Sequence, residues 1–134
     1  MMDLSKYNVL AVDDVPLNLL LIEKMLSRYE IRVRKATGGA EAMQEIASEK
    51  PDVLILDLMM PEVDGFEVLR RVRANPLTED IRVIILSALN SNEDIIKGYE
   101  LGANEFITKP ILMEKLLNSV STQLQVIEAL RARG

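Results

Sequence analysis

The 134-residue sequence contains no cysteine and no histidine. Without cysteine there is no disulfide, no thiolate nucleophile and no sulfur-ligated metal. Without histidine there is no serine–histidine or cysteine–histidine base pair, no imidazole metal ligand and no phosphohistidine. Any chemistry must run on carboxylates, lysine, hydroxyls, backbone groups or a metal held by oxygen. Long apolar runs are missing too, and none approaches the ~20 residues of a membrane span. The first residues, MMDLSKYN, lack the basic-then-apolar order of a signal peptide, so a cytoplasmic protein with no membrane contact is expected. No internal repeat, low-complexity tract or Pro/Gly/Ser linker interrupts the chain. A net charge of −5 argues against a nucleic-acid surface on this domain.

What is present is alternation. The short runs Asn8–Val12, Ile31–Ala36, Val53–Leu56, Val83–Leu86 and Glu105–Thr108 are separated by helix-period stretches starting near Pro16, Gly39, Asp64, Asn92 and Leu112. Pro16 suits a first helical turn, and Asp64 and Asn92 stand where N-caps do. The alternation predicts an α/β domain, a parallel sheet with helices on both faces. The first, third and fourth runs are uniformly apolar, as central strands are. The second alternates Ile31 and Val33 with Arg32 and Arg34, as an edge does. The pattern fits a flavodoxin-like five-stranded sheet of order 2-1-3-4-5, one domain over residues 1–134. Ligands of such sheets bind beyond the carboxyl ends of the strands, at the switch between strands one and three.

That edge is acidic. The stretch VLILDLMMP (53–61) places Asp57 at the tip of a core strand, where an unpartnered carboxylate is rare. The first strand ends in Asp13 and Asp14. Neighbouring strands lie about 5 Å apart, so the three carboxylates share one cleft. Close like charges raise each other's pKa unless a cation intervenes. Oxygen-only ligands suit Mg²⁺, or Mn²⁺. The fourth strand runs into Ser87 and the fifth into Lys109. A hydroxyl, an ammonium and a metal around one carboxylate make a cradle for a phosphoryl group, with Asp57 as the nucleophile.

The residues AVDD (11–14), LILDLMMPEVDG (54–65), ILSA (85–88) and FITKP (106–110) resemble the signature of response-regulator receiver domains, the CheY-like family of two-component signal transduction. The resemblance runs from about Val9 to Leu124. It implies that Asp13 and Asp14 hold Mg²⁺, that Asp57 is both phosphoacceptor and metal ligand, and that the Met59 backbone carbonyl completes the set. It also implies that Lys109 pairs with the phosphoryl oxygens, through a cis Lys109–Pro110 bond. Ser87 and Phe106 become the hydroxyl and the aromatic of a switch that reshapes the face of the fourth helix, fifth strand and fifth helix. The phosphodonor is then a histidine kinase or a histidine phosphotransfer protein. Met59 and Leu89 stand where the family tunes phosphoryl lifetime; both are apolar, which implies a long-lived phosphoaspartate.

The last helix, about 112–133, is expected to project beyond the sheet. Met113, Leu117, Val120, Leu124 and Ile127 recur along it at spacings of four and three. They mark either an amphipathic helix packed on the domain or a short seam for a homodimer, for which the switch face is another candidate. Two other functions fit part of the pattern. One is a phosphorylation-independent, receiver-like protein-binding module. The other is an aspartate-nucleophile phosphatase, which needs a second acid two residues after the nucleophile, where this chain has Met59. A flavodoxin is excluded by the acidic loop Asp13-Asp14-Val15-Pro16, which offers a flavin phosphate repulsion instead of donors.

Overall fold

Parallel strands need long crossover connections, and each apolar run is followed by a stretch able to form the crossing helix. The computed structural model describes residues 3–133. After a 3-10 turn at Leu4–Lys6 the elements run β1 (Asn8–Val12), α1 (Pro16–Ser27), β2 (Arg32–Ala36), α2 (Gly39–Ser48) and β3 (Val53–Leu56). They continue with α3 (Gly65–Ala74), β4 (Arg82–Ser87), α4 (Asn92–Glu100), β5 (Glu105–Thr108) and α5 (Met113–Arg133). All pairings are parallel and the order is β2-β1-β3-β4-β5, as expected.

Alternate residues of a strand face opposite sides of the sheet, and here both sides are covered. Leu10, Leu54, Leu56 and Ile85 pack with Ala42 and Ile46 of α2 and Val68, Leu69 and Val72 of α3. Val9, Val53, Ile55 and Ile84 pack with Leu19, Ile22 and Leu26 of α1 and Leu116, Val120, Leu124 and Ile127 of α5. This double burial is why β1 and β3 read as unbroken apolar runs. The β1–β3 register pairs Val12 with Leu56, which brings the next residues, Asp13 and Asp57, side by side.

The far end of the sheet is tied as firmly. Asp52, just before β3, accepts the Asn8 N–H at 2.8 Å through its carboxylate and the Arg82 N–H at 3.1 Å through its carbonyl. Its other carboxylate oxygen accepts from Arg131 of α5 at 2.8 Å. Nearby, Glu128 accepts the Tyr7 hydroxyl, and the Gln123 side-chain Oε1 accepts from Arg82 Nε at 2.8 Å.

One local detail differs from expectation. The α4 cap is Ser91 rather than Asn92: Ser91 is extended (φ −70°, ψ 152°) and its Oγ accepts the Asp94 N–H at 3.1 Å. Asn92 is already helical, so its side chain cannot reach back to the first orphan N–H groups. On the edge strand β2, Arg34 is not a solvated charge. Its guanidinium donates to the Asn8 side chain at 3.0 Å, to the Glu45 carboxylate at 3.0 Å and to the Glu49 carbonyl. Asp64 caps α3 as expected, accepting the Glu67 N–H at 2.9 Å. No described helix is long and apolar enough to cross a membrane.

Candidate functional site

Three charged residues continue the strand ladder one step past the strand ends. The Asp13 N–H donates to the Ala36 carbonyl at 3.1 Å, the Asp57 N–H to Val12 at 3.0 Å, and the Lys109 N–H to Ser87 at 2.8 Å. Their backbones are therefore fixed by the sheet and their side chains are aimed from a rigid edge. The Lys109–Pro110 bond is cis.

The side chains converge. Lys109 Nζ lies 2.9 Å from Asp13 Oδ2 and 3.4 Å from Asp57 Oδ2. Asp13 is 1% exposed, and its Oδ1 also accepts the Val15 N–H at 2.9 Å. Asp57 is 4% exposed and its Oδ1 accepts the Met59 N–H at 3.3 Å. Asp14 stands exposed at the mouth, and one oxygen from each of Asp13, Asp14 and Asp57 lies within 4.8 Å of the others.

The electrostatics follow from this crowding. Burial pushes the Asp57 carboxyl above its ordinary value; the Lys109 charge opposes that and the Asp13 charge adds to it. Burial pulls the Lys109 ammonium down, but the hydrogen bond to Asp13 and the charge of Asp57 outweigh it, and the group ends above its ordinary value. Three carboxylates against one ammonium leave two surplus negative charges when all are ionised. A cluster of hard oxygen donors with that surplus fits a divalent cation of the Mg²⁺ type.

Of the remaining expected residues, Ser87 and Met59 lie beside this cleft, and Phe106 stands lower on the sheet, paired with Ile85. Ser87 is fully buried at the end of β4, where its Oγ accepts the Leu89 N–H at 3.3 Å. Met59 turns its side chain to solvent and its N–H to Asp57. Phe106 is half-buried on β5, one strand beyond Ser87, packed against the core shared with α2 and α3.

Three contributors were not assigned chemistry by sequence reasoning. Asn18 donates its side-chain amide to Asp13 Oδ2 at 3.2 Å. An amide one turn into the helix after an acidic loop is the signal that could have found it. Gly65 closes the stretch LILDLMMPEVDG. A Cβ there would sit 2.1 Å from the Asp57 carbonyl oxygen, so only glycine lets α3 start against the backbone of Asp57. The Tyr99 hydroxyl accepts the Phe106 N–H at 3.1 Å, a contact that depends on how α4 turns back onto β5 and leaves no trace in the pattern.

Residues 9–121 match the family described as response regulator receiver domain. The chain is 38% identical over 125 residues to a Vibrio cholerae protein named "Probable cyclic di-GMP phosphodiesterase", covering 93% of this chain and 28% of that one. It is 38% identical over 128 residues to Response regulator PleD of Caulobacter vibrioides, with the same shares covered. It thus spans 28% of the length of these relatives. Among solved structures it is similar to the signal receiver domain of a signal transduction histidine kinase from Syntrophus aciditrophicus. The TM-score there is 0.84 at 30% identity, over 90% of this chain and 92% of that one.

Proposed function

The chain belongs to the response regulator receiver family, and on that premise we propose that Asp57 accepts a phosphoryl group from a phosphohistidine. The observation that carries the reading is the convergence of three carboxylates and the Lys109 ammonium on the carboxyl edge of the sheet. One Asp57 carboxylate oxygen attacks phosphorus, an O–P bond forms, the donor's P–N bond breaks, and the electron pair leaves with the imidazole nitrogen. Lys109 pairs with phosphoryl oxygens, and the Ser87 hydroxyl donates to one of them. Asp13, Asp14, Asp57 and the Met59 carbonyl would hold Mg²⁺ or Mn²⁺. Bound there, the cation supplies neutralisation of the charge spread over the transferring group.

The donor is a histidine kinase or a histidine phosphotransfer protein, met in the cytoplasm. The phosphoryl adds close to two negative charges and three acceptor oxygens. Ser87 follows it, Phe106 moves, and the face of α4, β5 and α5 changes its partners, a second copy of the chain among them. This is a signalling switch rather than an enzyme: its own chemistry is limited to receiving the group and losing it by autodephosphorylation. The exposed Met59 side chain and the apolar Leu89 offer no group to orient an attacking water, which supports a slow loss, with a half-life of minutes or more.

Intact-protein mass spectrometry after incubation with acetyl phosphate tests the reading. One phosphoryl adduct is expected with Mg²⁺, and none with a chelator or in Asp57→Ala. An adduct that survives in Asp57→Ala would place the acceptor elsewhere. No adduct, with no beryllofluoride binding either, would favour a phosphorylation-independent binding module.

A further inference from the structure

Helix α4 buries a single residue, Gly98, fewer than any other α-helix of the fold. Its Ile96 and Tyr99 are 55% and 48% exposed. An element with so few buried contacts opens at low cost, so the contacts it does make decide where it sits. Three consecutive residues, Lys97, Gly98 and Tyr99, reach Phe66, Ile85 and Phe106 between them. The Lys97 ammonium lies 4.2 Å from the centre of the Phe66 ring on α3, a cation–π distance. At Gly98 a Cβ would stand 2.8 Å from the Ile85 side chain and 3.1 Å from the Phe106 ring, so glycine lets the helix close onto both. The Tyr99 hydroxyl accepts the Phe106 N–H at 3.1 Å.

The last contact has a topological reason. β5 is an edge strand, and its outward N–H groups face no neighbouring strand. Tyr99 supplies the missing acceptor to one of them. Phe106 is therefore gripped twice by α4, at its ring by Gly98 and at its backbone by Tyr99. We infer that Tyr99 is a positioning residue of the switch: its hydroxyl holds α4 on β5 before phosphorylation and lets go when Phe106 moves. The inference rests on the proposed role of Phe106.

The chain has three tyrosines, Tyr7, Tyr29 and Tyr99. Tyr7 is fully buried at the opposite end of the sheet, and Tyr29 follows α1. Labelling the full chain with fluorotyrosine and titrating it with beryllofluoride in the presence of Mg²⁺ reads Tyr99 directly by fluorine NMR. The Tyr99 signal should move on binding while the other two hold. Tyr99→Phe, which keeps the ring and deletes the acceptor, should bind beryllofluoride roughly 2- to 10-fold more tightly, the worth of one net hydrogen bond. A hydroxyl with a purely structural role would lower the melting temperature and leave that affinity unchanged. An unchanged or weakened affinity in Tyr99→Phe, or a motionless Tyr99 signal in a wild type that does bind, would overturn this inference alone. A wild type that does not bind beryllofluoride would overturn the acceptor reading and this one with it.

Discussion

Replacing Lys109 by methionine keeps most of the stem and deletes the one positive charge set between two buried carboxylates. The Lys109 side chain is 19% exposed, against 2% for Asp13 and 4% for Asp57. At an effective dielectric constant of about 20 the gross attractions at 2.9 and 3.4 Å are roughly 6 and 5 kcal/mol. Dehydration of the three ions offsets most of that. Removing one partner of a buried pair leaves the others uncompensated and costs about 3–5 kcal/mol; the partial exposure of Lys109 favours the lower end. About 3 kcal/mol in a domain of this size lowers Tm by roughly 10–15 °C near neutral pH without divalent cations. The loss must depend on pH. Asp57 already has a folded-state pKa above its ordinary value, and without Lys109 it rises further. The penalty is then full above that folded pKa and shrinks as pH falls through it, because protonation removes the unpaired charge. Melting curves of Lys109→Met and wild type near pH 4.5 and 7.5, with and without Mg²⁺, should show the deficit narrow at low pH and with the cation. An equal deficit under all four conditions would mean that Lys109 contributes packing of its stem, and the electrostatic account of the cleft would fail.

Asp57→Asn should raise Tm by a few degrees near neutral pH without divalent cations, since burial disfavours the charge it removes; a calorimetric scan in which it melted earlier would contradict this. Gly65→Ala sets about 1 kcal/mol of helix propensity against a Cβ placed 2.1 Å from the Asp57 carbonyl oxygen. Overpacking on rigid backbone, about 1–3 kcal/mol or more, should win, giving a lower denaturant midpoint and slower acetyl phosphate labelling. Ser91→Ala removes the α4 cap, worth about 1 kcal/mol. Amide exchange in α4 should quicken roughly fivefold while that of β1 and β3 is unchanged.

The sheet was legible because its central strands are apolar on both faces. β1 and β3 have the bounds expected of them, and the strand order alone puts Asp13, Asp14, Asp57, Ser87 and Lys109 at one edge. What escaped depends on direction rather than type. Ser91 and Asn92 are both cap formers, and the path of the chain, not propensity, chose between them. Arg34 alternates with apolar residues as an edge position does, yet four acceptors on Asn8, Glu45 and Glu49 enclose it. The apolar stripe of α5 fits a sheet or a partner equally well in sequence. In the fold Val120, Leu124 and Ile127 are buried against the sheet, while Met113 reaches the surface. Contacts such as Tyr99 to Phe106 join residues seven apart through a turn, and no periodicity announces them.

The tethering of Asp52 has a mechanical consequence. β3 carries Asp57 at one end, and at the other Asp52 clasps β1, β4 and α5 at once. A rod pinned at its butt between two neighbours cannot recoil when a load is set on its tip. Bulk or charge added on Asp57 would therefore press on the loops that carry Met59, Leu89 and Pro110 and on the edge strand β5 sooner than on β3 itself. β3 is in this sense an anvil: the carboxylate at its tip is backed from the far end of the sheet.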